Sequence, residues 1–132
     1  MIEENNVIVA NNVSLPTPSK YVPYPNLREK STENSLGDIV RKIISVRWKI
    51  EMNWDILTVE QMNYLTELRF KKDFTCTFPS LNGTRITKTM YAGELKPSAK
   101  RIDKSTGLVT GWEDVSFNFI QTKADKYTGG VV

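Results

Sequence analysis

Few side chains in this sequence could do chemistry, and their types narrow what that chemistry would be. Histidine is absent and cysteine occurs once, at position 76. Without an imidazole there is no Ser-His-Asp triad, no Cys-His dyad and no histidine-ligated metal site. A single thiol cannot close an internal disulfide or build a zinc cluster. Cys76 sits in Phe74-Thr-Cys76-Thr-Phe78, where strict alternation turns it inward with the two phenylalanines. A free cysteine there behaves as a small hydrophobe, with no base beside it to make a nucleophile. Glu60, Glu67, Asp73 and Asp103 lack paired spacing and read as solvated charges, not as a general acid and base. A carboxylate-only hydrolase is the one enzyme class left open, and the expectation is no enzyme, no cofactor and no metal.

Binding residues come next. Trp48, Trp54 and Trp112 could form an aromatic platform for a sugar or a single-stranded nucleic acid. Two of them, however, lie on the apolar face of the clearest strand, where core packing is the plainer role. Lys96, Lys100, Arg101 and Lys104 outweigh Asp103 and make residues 94–111 locally basic. Such a segment meets solvent or an acidic patch on a protein more readily than it meets nucleic acid. Eighteen basic against fifteen acidic residues leave a net charge of only +3, without the dense stripe of a nucleic-acid binder. Gly107 and Gly111 open no helix, so no phosphate cradle is present.

The elements that must position these residues fit one domain. The chain has 132 residues, 39% of them hydrophobic and 25% charged, as in a foldable globular sequence. Its longest apolar run, Val7 to Ala10, is far short of the roughly 18 residues of a spanning helix, so no membrane anchor is expected. The acidic, polar start also argues against a secretory signal. Residues 7–15 read as two short strands around an Asn-Asn turn. Val46, Trp48, Ile50, Met52 and Trp54 alternate with charged and polar residues, which predicts one long or bulged strand over about 39–55. Leu57 to Leu68 changes period. Thr58 and Gln61 form a capping box, and Met62, Leu65 and Leu68 share the buried face of an amphipathic helix expected to meet Trp48, Ile50, Met52 and Trp54. Phe74, Cys76 and Phe78 face inward on the next strand, Asn82-Gly83 turns the chain, and Arg85 to Tyr91 returns. Trp112 to Ile120 closes the fold, with Phe117 and Phe119 in the core, and residues 121–132 read as a frayed tail.

Two segments stand outside this core. Pro16, Pro18, Pro23 and Pro25 are four of the six prolines, and they predict a polyproline-like arm over about 16–38. Residues 94–111 read as a second irregular arm with glycine hinges. Unstructured runs of about twenty residues are unusual within a compact domain, so neighbouring subunits are expected to order them. The overall expectation is a mainly β protein with one helix, an antiparallel β-sandwich or open barrel with core at about 7–15 and 39–120.

Val13-Ser-Leu-Pro-Thr-Pro-Ser-Lys-Tyr21, Lys49-Ile-Glu-Met-Asn-Trp54, Leu57-Thr-Val-Glu-Gln61, Tyr91-Ala-Gly-Glu94 and Trp112-Glu-Asp-Val-Ser-Phe-Asn-Phe-Ile120 together resemble a family of small uncharacterised proteins. These are encoded in the tail modules of phages and prophages of Gram-positive bacteria. The resemblance spans about residues 7–120. It implies a tail-tube-like fold and a virion structural protein, made in the host cytoplasm and forming a six-fold ring at the tail tube or its distal end or baseplate. The implied partners are copies of itself and other tail proteins, with DNA only a passenger in the lumen. Interface residues are then expected in the arms, at Pro16, Pro18, Tyr21, Pro23, Tyr24 and Arg28 and at Lys96, Lys100, Arg101 and Lys104. The other reading is a carbohydrate- or nucleic-acid-binding β module that uses exposed tryptophans and the basic loop.

Overall fold

The computed structural model describes residues 7–33, 35–37 and 39–126, and for 30–33 and 39–42 the backbone alone. Strands β1 (Val9–Ala10) and β2 (Val13–Ser14) reverse at Asn11 and Asn12, whose φ angles are 54° and 66°. Asparagine tolerates that left-handed region better than most residues, which is why this turn is legible in the sequence. Then follow β3 (Lys20–Glu33), β4 (Ile39–Leu57), α1 (Val59–Phe70), β5 (Phe74–Pro79), β6 (Arg85–Asp103), β7 (Leu108–Gln121) and β8 (Asp125–Lys126). All eight strands form one antiparallel sheet in the order β2-β1-β5-β6-β7-β4-β3, with β8 beside β4. The architecture is mainly β with one helix, and the sheet is not closed into a barrel.

Alternation dictates the core. Val46, Trp48, Ile50, Met52 and Trp54 of β4 are all buried, as are Phe74, Cys76 and Phe78 of β5 and Val115, Phe117 and Phe119 of β7. The sheet curls so that its two ends approach across this core. The Tyr21 hydroxyl on β3 donates to the Pro79 carbonyl on β5 at 2.7 Å, and the Trp48 and Phe78 rings tilt together at 5.9 Å. The Trp54 indole donates to the Pro16 carbonyl at 2.9 Å, tying the entry of β3 to β4.

Helix α1 starts at the expected capping box. The Gln61 amide donates to Thr58 Oγ1 at 3.2 Å, and the Gln61 side chain accepts from the Thr58 amide at 2.9 Å. Met62, Leu65 and Leu68 are its buried residues. The helix lies over β6 and β7, not directly over β4 as the sequence suggested, although all three side chains join the same core cluster. The Tyr64 hydroxyl reaches the Ala10 carbonyl at 2.8 Å and fixes the helix to β1.

Both presumed arms are strands. Residues 20–33 pair with β4 in an antiparallel ladder that includes Pro23 opposite Ile50 and Pro25 opposite Trp48. The prolines do not forbid this ladder because β3 is an edge strand. Proline lacks an N–H, so both occupy non-hydrogen-bonded positions, and two residues apart their ring nitrogens face the same, outer side. Residues 94–111 likewise belong to β6, a tight turn and β7, with register shifts between Ala92 and Ile102. One shift rests on Gly93, where an added Cβ would overlap the Asn118 side-chain oxygen that accepts the Glu94 amide. The supposed frayed tail contributes Gln121 to β7 and Asp125–Lys126 to β8, Thr122 bonds the Thr89 carbonyl, and residues 127–132 lie outside the described residues.

The two central tryptophans differ in one testable way. Trp54 Nε1 is hydrogen-bonded, whereas Trp48 Nε1 is buried without a partner. Alanine at either site should cost about 3–5 kcal/mol by leaving a large cavity. Phenylalanine should cost more at 54 than at 48, because only Trp54→Phe discards a hydrogen bond while Trp48→Phe removes an orphaned donor. Urea unfolding midpoints of the four variants measure this order.

Candidate functional site

Four strands outrun the core. β7 pairs with β4 only from Lys49 to Leu57, so β3 and β4 continue beyond Ser45 as a two-stranded hairpin around residues 35–37. At the other end of that ladder, β6 and β7 continue past Trp112 as a second hairpin with its turn at 104–107. Because Lys49 pairs with Ile120 and Leu57 with Trp112, the two hairpins leave the sheet from opposite ends.

The second hairpin is tightly built at its tip. Asp103 Oδ1 accepts from the Ser105 amide at 3.0 Å and from its hydroxyl at 2.7 Å, and Gly107, at φ 75°, donates to the Asp103 carbonyl. The Ser105 hydrogen bonds hold the Asp103 carboxyl below the usual aspartate range. Between this hairpin and the start of α1 runs an open cleft of about 820 Å³. Its lining combines Ile56, Val59 and Leu108 with Glu60, Lys100, Arg101 and Asp103. Ile56 and Leu108 are 62% and 65% exposed, so the cleft presents apolar side chains to solvent.

Of the residues singled out from the sequence, the structure brings Lys100 and Arg101 to this cleft. Lys104 stands exposed in the hairpin turn, and Lys96 lies apart, 3.3 Å from Glu94 beside an open groove on the polar face of the sheet. Pro16, Pro18, Tyr21, Pro23 and Tyr24 are partly buried, while Arg28 is exposed where the first hairpin departs. Tyr21 serves the curl of the sheet, and burial pushes its phenol well above the ordinary range. Tyr24 donates to Glu51 at 3.3 Å and lies under Lys49, 5.9 Å from its ring centre. The sequence reading missed Ile56, Val59 and Leu108, because an exposed apolar residue has no pattern of its own.

Chemistry is sparse. Cys76 is fully buried, and burial pushes its thiol up to about 12 against the opposing pull of Arg85. Among the described residues no three His, Cys, Asp or Glu side chains group to hold a metal, and no helix is long and apolar enough to cross a membrane. Trp48 and Trp54 are buried and Trp112 is half-buried, so of the three tryptophans only Trp112 presents appreciable surface to solvent. One polar cluster does tie the sheet together. Lys88 on β6 meets Asp125 on β8 at 2.5 Å, and buried Gln121 accepts the Trp48 amide at 2.9 Å. Compared with known proteins, the chain matches no family model and no curated sequence.

Two measurements check these assignments. A thiol reagent should label native Cys76 slowly and the urea-unfolded chain at once, since only the exposed thiolate reacts. The second concerns Asp125: burial raises its pKa, yet hydrogen bonds from Lys88 and Gln121 win and hold it below the usual range. A depressed folded pKa stabilises above the ordinary aspartate value of about 3.9, and that contribution is lost as pH falls through the folded value. The urea midpoint should therefore fall from pH 7 to pH 3 by less in Asp125→Asn than in the parent chain.

Proposed function

We propose that this chain is a structural component of a bacteriophage tail that assembles with copies of itself into a ring at the tube or its distal end. The observation that carries the reading is the pair of hairpins that leave one sheet at opposite ends. A two-stranded hairpin without a sheet on either face buries little of its own surface. Two of them, pointing in opposite directions, give each copy one projection for each neighbour in a ring. The resemblance to tail-module proteins supplies the setting, with other tail proteins above and below the ring, the virion as destination and DNA as a passenger through the lumen. On this reading the buried thiol and the scattered carboxylates have no catalytic task.

Sedimentation tests the reading directly. The parent chain should form a discrete multimer or a polymer. A variant with residues 29–43 replaced by an Asn-Gly turn keeps the pairing of β3 with β4 from Lys20 to Arg28, and should stay folded and monomeric. Neutralising Lys100, Arg101 and Lys104 together should weaken assembly most at low salt, because exposed charge pairs are already screened at high salt. A monodisperse monomer of the parent chain at all concentrations, or unchanged assembly of the hairpin variant, overturns the proposal.

A further inference from the structure

On the face of the sheet turned away from the core, polar side chains lie in register across β3, β4, β7 and β6. Lys20, Asn53, Ser116 and Lys96 form one row, each opposite the next. Glu51 and Asn118 face each other in a second row, two residues along. Neighbouring strands stand about 4.8 Å apart and successive rows on one face about 7 Å, so these groups cover the footprint of a small ring-shaped molecule. Among them runs the open groove of about 310 Å³, at the lower end of the roughly 300–1,000 Å³ of small-molecule sites.

The floor of this groove is fixed in advance. Asn118 lies across Gly93, where an added Cβ would stand 2.1 Å from its Oδ1. That oxygen accepts the Glu94 amide at 2.9 Å, which orients the side chain and leaves Nδ2 to donate. Among the described residues, the Ser116 hydroxyl and the Lys20 ammonium have no partner. Tyr24 donates to one Glu51 oxygen at 3.3 Å, leaving the other to accept, and Asn53 turns its amino group to Asp114 and keeps Oδ1 as an acceptor. Donors and acceptors therefore share one small surface.

Their charges cancel. Lys20 and Lys96 stand against Glu51 and Glu94, with Lys96 3.3 Å from Glu94. Such a balance favours neither an anion nor a cation, yet it hydrogen-bonds in both senses, as a ring of hydroxyl groups requires. Tyr91 adds an aromatic surface. It stands two residues before Gly93 on the same face and is 37% exposed, and among the described residues neither its ring nor its hydroxyl has a partner. An open aromatic ring of this kind packs against the apolar C–H face of a pyranose. We infer that this groove binds one uncharged pyranose unit, hydrogen-bonded by Glu51, Asn53, Ser116 and Asn118 and stacked on Tyr91. The site lies on the body of the sheet, and it stands or falls independently of the ring reading.

Saturation-transfer NMR on the full chain tests it, with the methyl glycosides of glucose, galactose, mannose and N-acetylglucosamine as probes. At least one glycoside should take up saturation and shift the Asn118 side-chain amide signal, whereas open-chain sorbitol and inorganic sulfate should do neither. Glu51→Ala should weaken that binding about tenfold, as the loss of a hydrogen bond to a charged group does. Tyr91→Ala should also weaken it, and Tyr91→Phe should retain it, because the ring and not the hydroxyl makes the contact. Both positions are exposed, so these variants should keep the parent urea midpoint. Failure of all the glycosides to bind, equal binding of sorbitol or a preference for sulfate overturns the site. Binding unchanged in both Glu51→Ala and Tyr91→Ala overturns it as well. Sedimentation of the parent chain decides the ring reading separately.

Discussion

One strand face holds this protein together. Trp48 and Trp54 stand on the core side of β4, and each reaches an element that is remote along the sheet or the chain. Trp48 meets Phe78 on β5, and Trp54 bonds the backbone at Pro16. Strands near one edge of an open sheet are thereby drawn over strands near the other, and Tyr21 secures the approach with its bond to Pro79. The curl encloses Cys76 and the phenylalanines and leaves the helix to cover β6 and β7. A flat sheet of the same order would expose this whole face to water.

The second constraint is length. Fourteen and nineteen residues in β3 and β4 exceed what one helix and one curled sheet can cover. Once the core is full, the surplus has no apolar neighbour, yet its backbone groups still need partners. Pairing strand with strand satisfies them without a core, so the surplus becomes hairpins and not loops. That is also why the projections are polar on most positions and apolar at only a few. Ordering them costs conformational entropy that the surface they bury alone repays poorly.

Period-two alternation reports one-sided burial, and wherever a strand had one wet face the sequence was legible: β4, β5 and the end of β7 fall where Trp48, Phe74 and Phe117 place them. The capping box at Thr58 and the Asn11-Asn12 turn were equally readable, because their signals are local. Helical spacing identified which face of α1 is buried but held no information about which strands it covers. The second hairpin was opaque for a physical reason. Both of its faces are wet, so Lys100, Arg101 and Lys104 show no alternation and resemble a loop. Pro23 and Pro25 misled in another way: proline excludes a ladder bond on one side only, and nothing in the sequence says that β3 has just one neighbour. The apolar members of the cleft, Ile56 and Leu108, look like core residues until the strands around them are placed.

Those two prolines matter most for what the outer edge of β3 must not join. An exposed edge of fourteen residues is a template on which any extended chain could add itself, and such addition ends in aggregates, not in closed particles. At Pro23 and Pro25 the outer edge offers no donors, so a stray strand finds two consecutive bonding positions empty there. The edge is thus disarmed over the part that stays on the body of the protein. A long edge strand in this way keeps its ladder with β4 and resists indiscriminate addition along its outer side.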